Sequence, residues 1–268
     1  MSVSVSIRDL SKRYGTNTAL SGIDLDIEAG QVFGILGPNG SGKTTILRII
    51  CSILSQTSGK VSVLGYDTIL SRNEVKKRIG YVPETPLLYE SLTPSEYFSF
   101  VASVRKMDQR TLADRVNNFA EAFGIDGFVN DLIGSLSFGT KQKVAIIGAL
   151  LHDPDIIVLD EGMNGLDPRS AKILKDLLVD LAARGKTVIF STHILEVAES
   201  VCDRIAILYQ GTIVSVGTMK ELRESSGNSE TNLEDIFLKL TGNENIQEIV
   251  AWKISLSCPW LQDRRAGP

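Results

Sequence analysis

Gly37-Pro38-Asn39-Gly40-Ser41-Gly42-Lys43-Thr44 fills every fixed position of the pattern G-x-x-x-x-G-K-[ST]. Its flanks decide what the match means. The residues before it, Gln31-Val32-Phe33-Gly34-Ile35-Leu36, read as a buried strand, and those after it, Thr45-Ile46-Leu47-Arg48-Ile49-Ile50, as the start of a helix. Glycines let the backbone between them curl so that successive N–H groups point inward at an anion. The helix behind adds the positive end of its dipole. Gly37, Pro38, Asn39, Gly40, Ser41, Gly42, Lys43, Thr44 and Thr45 are therefore the expected nucleotide-phosphate cradle. Lys43 is expected to reach the β- and γ-phosphates, and the Thr44 hydroxyl to ligate Mg²⁺.

Working outward, residues 3–7 alternate like an edge strand, and Ile23-Asp24-Leu25-Asp26-Ile27 alternate cleanly before a Glu28-Ala29-Gly30 turn. Val61 to Leu64 and Ile79 to Val82 read as further strands. From Thr93-Pro94, a capping hydroxyl with proline in the first turn, to about Leu151 the chain reads as helical. Strands return at Ile156–Leu159 and Thr187–Phe190, with helices near 169–184 and 194–200. Two strands, 204–209 and 212–216, follow, joined by Gln210-Gly211 as a hairpin. The implied fold class is α/β: a phosphate-loop NTPase core of mixed sheet and helices, with an antiparallel β edge and an inserted helical subdomain at about 93–151. Past Arg223 the composition turns to that of a linker, with a short amphipathic helix at Leu233–Leu240. Beyond it Trp252, Ile254, Leu256, Cys258 and Trp260 alternate with polar residues and proline, a pattern open to an edge strand, a membrane-surface strip or a disordered end.

Composition narrows the function classes. The chain of 268 residues carries 28 basic and 32 acidic residues, a net charge of −4 that gives no general nucleic-acid footprint. Its three cysteines, Cys51, Cys202 and Cys258, are scattered, which argues against a disulfide framework or a thiolate zinc site and suits a reducing compartment. No apolar run approaches the ~18 residues a membrane span needs, and the N-terminus lacks the features of a signal peptide. Work at a membrane would require another, spanning chain.

The strand Ile156-Ile157-Val158-Leu159 ends in Asp160-Glu161. Ligands of a parallel sheet sit beyond the carboxyl ends of its strands, so both carboxylates are expected in the nucleotide crevice. Asp160 is placed to hold Mg²⁺ through water, and Glu161 to polarise the attacking water. Of the two histidines, His152 reads as a solvated turn residue. His193 follows the strand ending Phe190-Ser191-Thr192, where its side chain can reach the γ-phosphate.

With these residues in order, the chain resembles the nucleotide-binding subunit of an ATP-binding-cassette (ABC) transporter. Leu136-Ser137-Phe138-Gly139-Thr140-Lys141-Gln142 is similar to that family's signature segment, and it opens a helix. Asn164-Gly165-Leu166-Asp167 is similar to the loop that crosses the dimer interface, and His193 to the switch histidine. The resemblance covers about residues 3–241 and implies the ABC ATPase fold over 1–223, followed by a linker and helix at 224–243 and an unassigned tail at 244–268. It implies ATP and Mg²⁺ as cofactors, with Lys43, Glu161 and His193 catalytic and Thr44, Glu84 and Asp160 at the metal. Tyr14 would stack on adenine, and Ser137 and Gly139 would contact the ATP of a partner chain. The implied partners are a second ABC ATPase chain and an integral-membrane permease subunit, with the protein peripheral at the cytoplasmic face of the membrane. No nucleic-acid partner is expected. The surface between Glu84 and Arg105 would transmit motion to the permease, and the Thr140-Lys141-Gln142 and Glu84 variants resemble those of export systems.

Two positions depart from the family pattern. Glu84 stands where glutamine is expected after Pro83, adding a negative charge beside phosphates, and Phe138 replaces the second glycine of the signature. If that backbone required positive φ, phenylalanine would cost energy there. Two competing readings fit less of the chain. A soluble ABC protein acting on ribosomes or DNA usually carries two cassettes or a long coiled coil, and a small-molecule kinase leaves the signature segment and His193 unexplained.

Overall fold

The computed structural model describes residues 2–226 and 233–240; the expected linker residues 227–232 and the tail 244–268 lie outside them. The chain opens with β1 (Val3–Tyr14) and β2 (Asn17–Glu28), paired antiparallel around Gly15. Both strands run well beyond the short segments expected from alternation. Register shifts at Ile7/Leu10 and Leu10/Lys12 break the period of two, and Asp9 takes φ +46 there. The N-terminal strand is not an edge. It lies inside a four-stranded sheet of order β2-β1-β4-β5, which buries Val5, Ile7 and Leu10.

After β3 (Val32–Leu36), the phosphate loop leads into α1 (Lys43–Ile50). Next come β4 (Ser58–Val63), β5 (Tyr66–Asp67), α2 (Arg72–Arg78) and β6 (Ile79–Val82). α2 has only Val75 buried, so it lacks the apolar stripe that would have announced it in the sequence. The helical stretch comprises α3 (Pro94–Arg105), α4 (Gln109–Phe123) and α5 (Phe138–Leu150). α3 starts with the expected cap: Thr93 and Glu96 bond each other's backbone N–H reciprocally, with Pro94 at the first helical position. The α/β alternation resumes with β7 (Ile156–Asp160), α6 (Pro168–Ala183), β8 (Thr187–Thr192) and α7 (Leu195–Val201). The hairpin β9 (Arg204–Tyr209) and β10 (Thr212–Gly217) follows, then α8 (Met219–Ser226) and α9 (Leu233–Leu240). α8 corrects the expected linker start at 224. Thr218 and Glu221 form a reciprocal cap that carries the helix through residues 224–226.

The second sheet has six strands in the order β10-β9-β3-β8-β7-β6, parallel except for β10. It is covered on both faces, which is why β3, β7 and β8 are buried throughout rather than alternating with solvent. Ile157 and Leu159 of β7 join the core shared with α3 to α6, whereas Ile156 and Val158 join the core shared with α1 and the antiparallel sheet. Strands β3, β7 and β8 end side by side, so the phosphate loop, Asp160-Glu161 and Thr192-His193 emerge at one edge. Among the described residues no helix is long and apolar enough to cross a membrane.

Candidate functional site

The phosphate loop is shaped by what its glycines exclude. A Cβ on Gly37 would collide with the Leu208 carbonyl, and Gly42 holds φ +109 with space for a Cβ closed off by Leu20 Cδ2 at 2.7 Å and the Ala19 carbonyl at 2.9 Å. Gly42 is the N-cap of α1, so the helix's free N–H groups face the loop. Lys43 folds back into that loop. Its Nζ donates to the Gly37 carbonyl at 2.8 Å and the Pro38 carbonyl at 3.2 Å, and lies 3.5 Å from Glu161 Oε1. Both side chains of that ion pair are 6% exposed.

Glu161 is fixed from two further sides. Its backbone sits in the left-handed region at φ +52, a position that costs an ordinary residue on the order of 1–3 kcal/mol. Its N–H donates to Ser191, to the carbonyl at 3.2 Å and to Oγ at 3.1 Å, which holds that turn. Its Oε2 lies 2.9 Å from His193 Nδ1. The carboxylate thus stands between a lysine and a histidine, aimed at the end of the loop.

Asp160 is fully buried, and three hydroxyls surround it. Thr44 Oγ1 donates to Oδ1 at 3.1 Å, Ser191 Oγ to Oδ1 at 2.8 Å, and Tyr81 Oη approaches Oδ2 at 3.4 Å. Burial beside Asp160 pushes the Tyr81 phenol up to about 12, so it stays a donor near neutrality. Ser191 and Tyr81 were not singled out from the sequence. The only signal for Ser191 was its place in the polar run Ser191-Thr192-His193 closing an apolar strand.

Asn39, Gly40, Gly42, Lys43, Thr44, Thr45, Glu84 and Glu161 line one cleft of about 240 Å³. Gly37 and Pro38 lie behind it, where their carbonyls anchor Lys43, and Ser41 is buried beneath the loop. Tyr14 stands apart at the end of β1, 49% exposed, with Lys12 Nζ 5.0 Å from its ring centroid. The donor set suits a small hard cation: the Thr44 hydroxyl, the Asp160 carboxylate beside it and Glu84 lining the same cleft as Thr44 all offer oxygen. No group of three His, Cys, Asp or Glu that could hold a metal occurs among the described residues, so phosphate oxygens would have to complete the shell.

Ser137 and Gly139 do not line that cleft. Ser137 is the N-cap of α5, its Oγ accepting from Thr140 N at 3.2 Å. Phe138 is the first helical residue and does not take positive φ, so the departure from glycine carries no backbone strain. Its side chain is 48% exposed. His152 corrects the expectation of a solvated turn residue. Both ring nitrogens are buried, and burial together with Arg105 lowers its pKa to about 4.

A second, larger cleft of about 720 Å³ lies between the end of β6, α3 and α5. Leu87, Phe100 and Val104 on its rim are 83%, 46% and 65% exposed. All three of its charged lining residues, Arg48, Lys76 and Arg105, are basic.

Comparison with known proteins places the chain in a family. The family model described as ABC transporter matches residues 20–164. The chain is 36% identical over 234 residues to the ABC transporter ATP-binding protein NatA of Bacillus subtilis (strain 168), covering 85% of this chain and 95% of that protein. The solved structure of an ATP-binding subunit of an ABC transporter superposes with a TM-score of 0.85 at 29% identity, covering 88% of this chain and 99% of that one. A dimeric post-hydrolysis state of an ATP-binding cassette bound to ADP and Pi superposes with a TM-score of 0.74 at 29% identity, covering 80% and 98%. The chain belongs to the ABC transporter ATP-binding family and is an ATPase.

Proposed function

We propose that this ABC ATPase works as one of two cassettes that close head to tail on ATP, driving a separate integral-membrane permease from the cytoplasmic face of the membrane. The observation that carries the reading is the split between its two phosphate-directed segments. The loop residues and Glu161 converge on one cleft, while Ser137 caps a helix outside it and faces solvent. A signature segment outside its own chain's cleft fits a role toward the ATP of a second chain. The dimeric cassette among the comparisons supports that arrangement.

Within one site the residues divide the work. The loop N–H groups and Lys43 bind and orient the phosphates. Glu161 accepts the proton of the water that attacks the γ-phosphorus, giving ADP and phosphate, and His193 holds the carboxylate in place. Thr44, Asp160 and Glu84 would hold Mg²⁺, which when bound neutralises charge on the phosphate oxygens. Tyr14 offers an open ring face for adenine.

The apolar cleft flanked by α3 and α5 is the surface we assign to the permease, through residues 93–151 read as the inserted helical subdomain. It opens between the Pro83–Leu88 segment, which carries Glu84, and Arg105, linking the nucleotide cleft to the helices. Export is the proposed direction of transport, on the strength of the Thr140-Lys141-Gln142 and Glu84 variants. The test is co-purification with an integral-membrane protein from native membranes. Val104→Glu should abolish capture and leave the ATPase rate of the isolated chain unchanged. Capture of no membrane protein by the unaltered chain would overturn the permease reading.

A further inference from the structure

The start of α5 and the segment after Glu161 hold one another at four points. Gln142 Nε2 donates to the Gly162 carbonyl at 3.1 Å in the core. Lys143 pairs with Asp167 at 2.7 Å. A Cβ on Gly139 would stand 2.5 Å from the Gly165 oxygen, so backbone lies against backbone there. The fourth contact is the departure from the family pattern: the Phe138 ring lies over Gly165, where any side chain on Gly165 would collide with it. The same loop is tied to the catalytic end, since Asn164 N donates to the Glu161 carbonyl at 3.0 Å. Glu161 in turn faces Lys43 and His193.

Taking the head-to-tail dimer proposed above as its basis, we infer that Phe138 is a positioning residue coupling the two ATP sites. Its ring, seated on Gly165, passes the state of Glu161 in one site to Ser137 of the same chain, which serves the other. Gly165 has no side chain and holds φ +75, so the covering ring adds a side-chain restraint to the backbone contact with Gly139 at that point. An aromatic ring suits the task because it is rigid, with two torsions to fix. The contact is also separable from phosphate binding, because the ring is directed at the loop and the Ser137 hydroxyl is engaged with Thr140.

The experiment uses the Glu161→Gln protein, in which ATP should close the dimer without turnover, and reads the ATP concentration for half-maximal dimerisation by light scattering. Adding Phe138→Ala should raise that concentration about fivefold, the scale of a single aromatic contact. Phe138→Tyr should stay within roughly twofold. Affinity of the monomer for a fluorescent ATP analogue should be the same in all of them, which separates loss of coupling from general damage to the fold. Gly165→Ala should also raise the concentration, through its collision with the ring and through the strain of a Cβ at φ +75. Combined with Phe138→Ala it should cost less than the sum of the two, because the collision is gone. Strict additivity, or an unchanged midpoint for Phe138→Ala in a protein that dimerises, would overturn the coupling role. Failure of Glu161→Gln itself to dimerise with ATP would overturn the dimer reading, and the coupling role with it.

Discussion

The phosphate loop and the signature segment are built on the same device, a glycine-containing turn feeding the N-terminus of a helix, yet they are finished differently. At the first, Gly42 caps α1, Lys43 is 6% exposed, and its ammonium is answered by two loop carbonyls and Glu161. At the second, Ser137 caps α5 in solvent and Phe138 is 48% exposed beside it. One helix start encloses its charges within its own chain; the other presents its polar groups outward. A helix N-terminus attracts phosphate in either case. What differs is what surrounds the helix start: side chains and carbonyls of the same chain at the loop, solvent at the signature, which is why we assign the latter to the ATP of a second chain.

The largest effect should come from breaking the enclosed half. Glu161→Gln removes the base while keeping its shape, so ATPase turnover should fall by ~10²–10⁴-fold with ATP binding retained. Lys43→Ala acts on the other term. It removes the phosphate counter-charge and leaves the buried Glu161 carboxylate with His193 as its remaining partner, so tight ATP binding should be lost and thermal stability lowered. Rates and equilibrium nucleotide binding measured on both proteins decide the matter. Unimpaired turnover in Glu161→Gln would remove it from the catalytic role.

The outward half should break differently. Ser137→Arg puts bulk and charge where a partner's phosphate would approach. It should prevent dimer closure and reduce ATPase activity by about tenfold or more, while monomer ATP affinity stays close to that of the unaltered chain. Mixed with Lys43→Ala protein, it should restore at most one competent composite site per dimer. Loss of nucleotide binding in the Ser137→Arg monomer would show that the serine acts in its own chain, and the contrast between the two regions would collapse.

How much of this was legible in the sequence follows the same division. The phosphate loop, Asp160-Glu161 and His193 are contiguous signals at strand ends, and the parallel sheet delivers them to one edge by rule. Ser191 and Tyr81 were not legible, because their role depends on β8 and β6 both flanking β7, a pairing the chain order does not state. β1 and β2 were read too short because bulges at positions such as Asp9 interrupt the alternation that marks a strand. His152 was misread because a His-Asp-Pro turn looks solvated, whereas both its ring nitrogens are buried, near Arg105 and the Ile79 backbone. Whether Phe138 carried a cost turned on a backbone angle that the sequence does not state; in the helix's first turn the position needs no positive φ.

Glu84 sits where the comparison is finest, on the wall of the enclosed cleft but exposed and without a hydrogen-bonded cation beside it among the described residues. Its charge is attractive toward a divalent cation and repulsive toward bare phosphate, so the sign of its effect should depend on the metal. Glu84→Gln should leave the ATPase rate at saturating Mg²⁺ within about twofold and shift the Mg²⁺ concentration for half-maximal rate by a few-fold, on the order of 0.5–1 kcal/mol. The same shift should appear in the Mg²⁺ dependence of binding a fluorescent ATP analogue, which involves no turnover. Without Mg²⁺ the substitution should instead tighten analogue binding, because it removes a negative charge facing the phosphates. A Glu84→Ala protein should bind the analogue much as Glu84→Gln does but couple less well to the proposed permease on reconstitution, since it loses the side chain that lines the cleft there. Superimposable Mg²⁺ titrations for the three proteins, in rate and in binding, would show that Glu84 faces solvent only. The enclosed half would then end at Thr44 and Asp160.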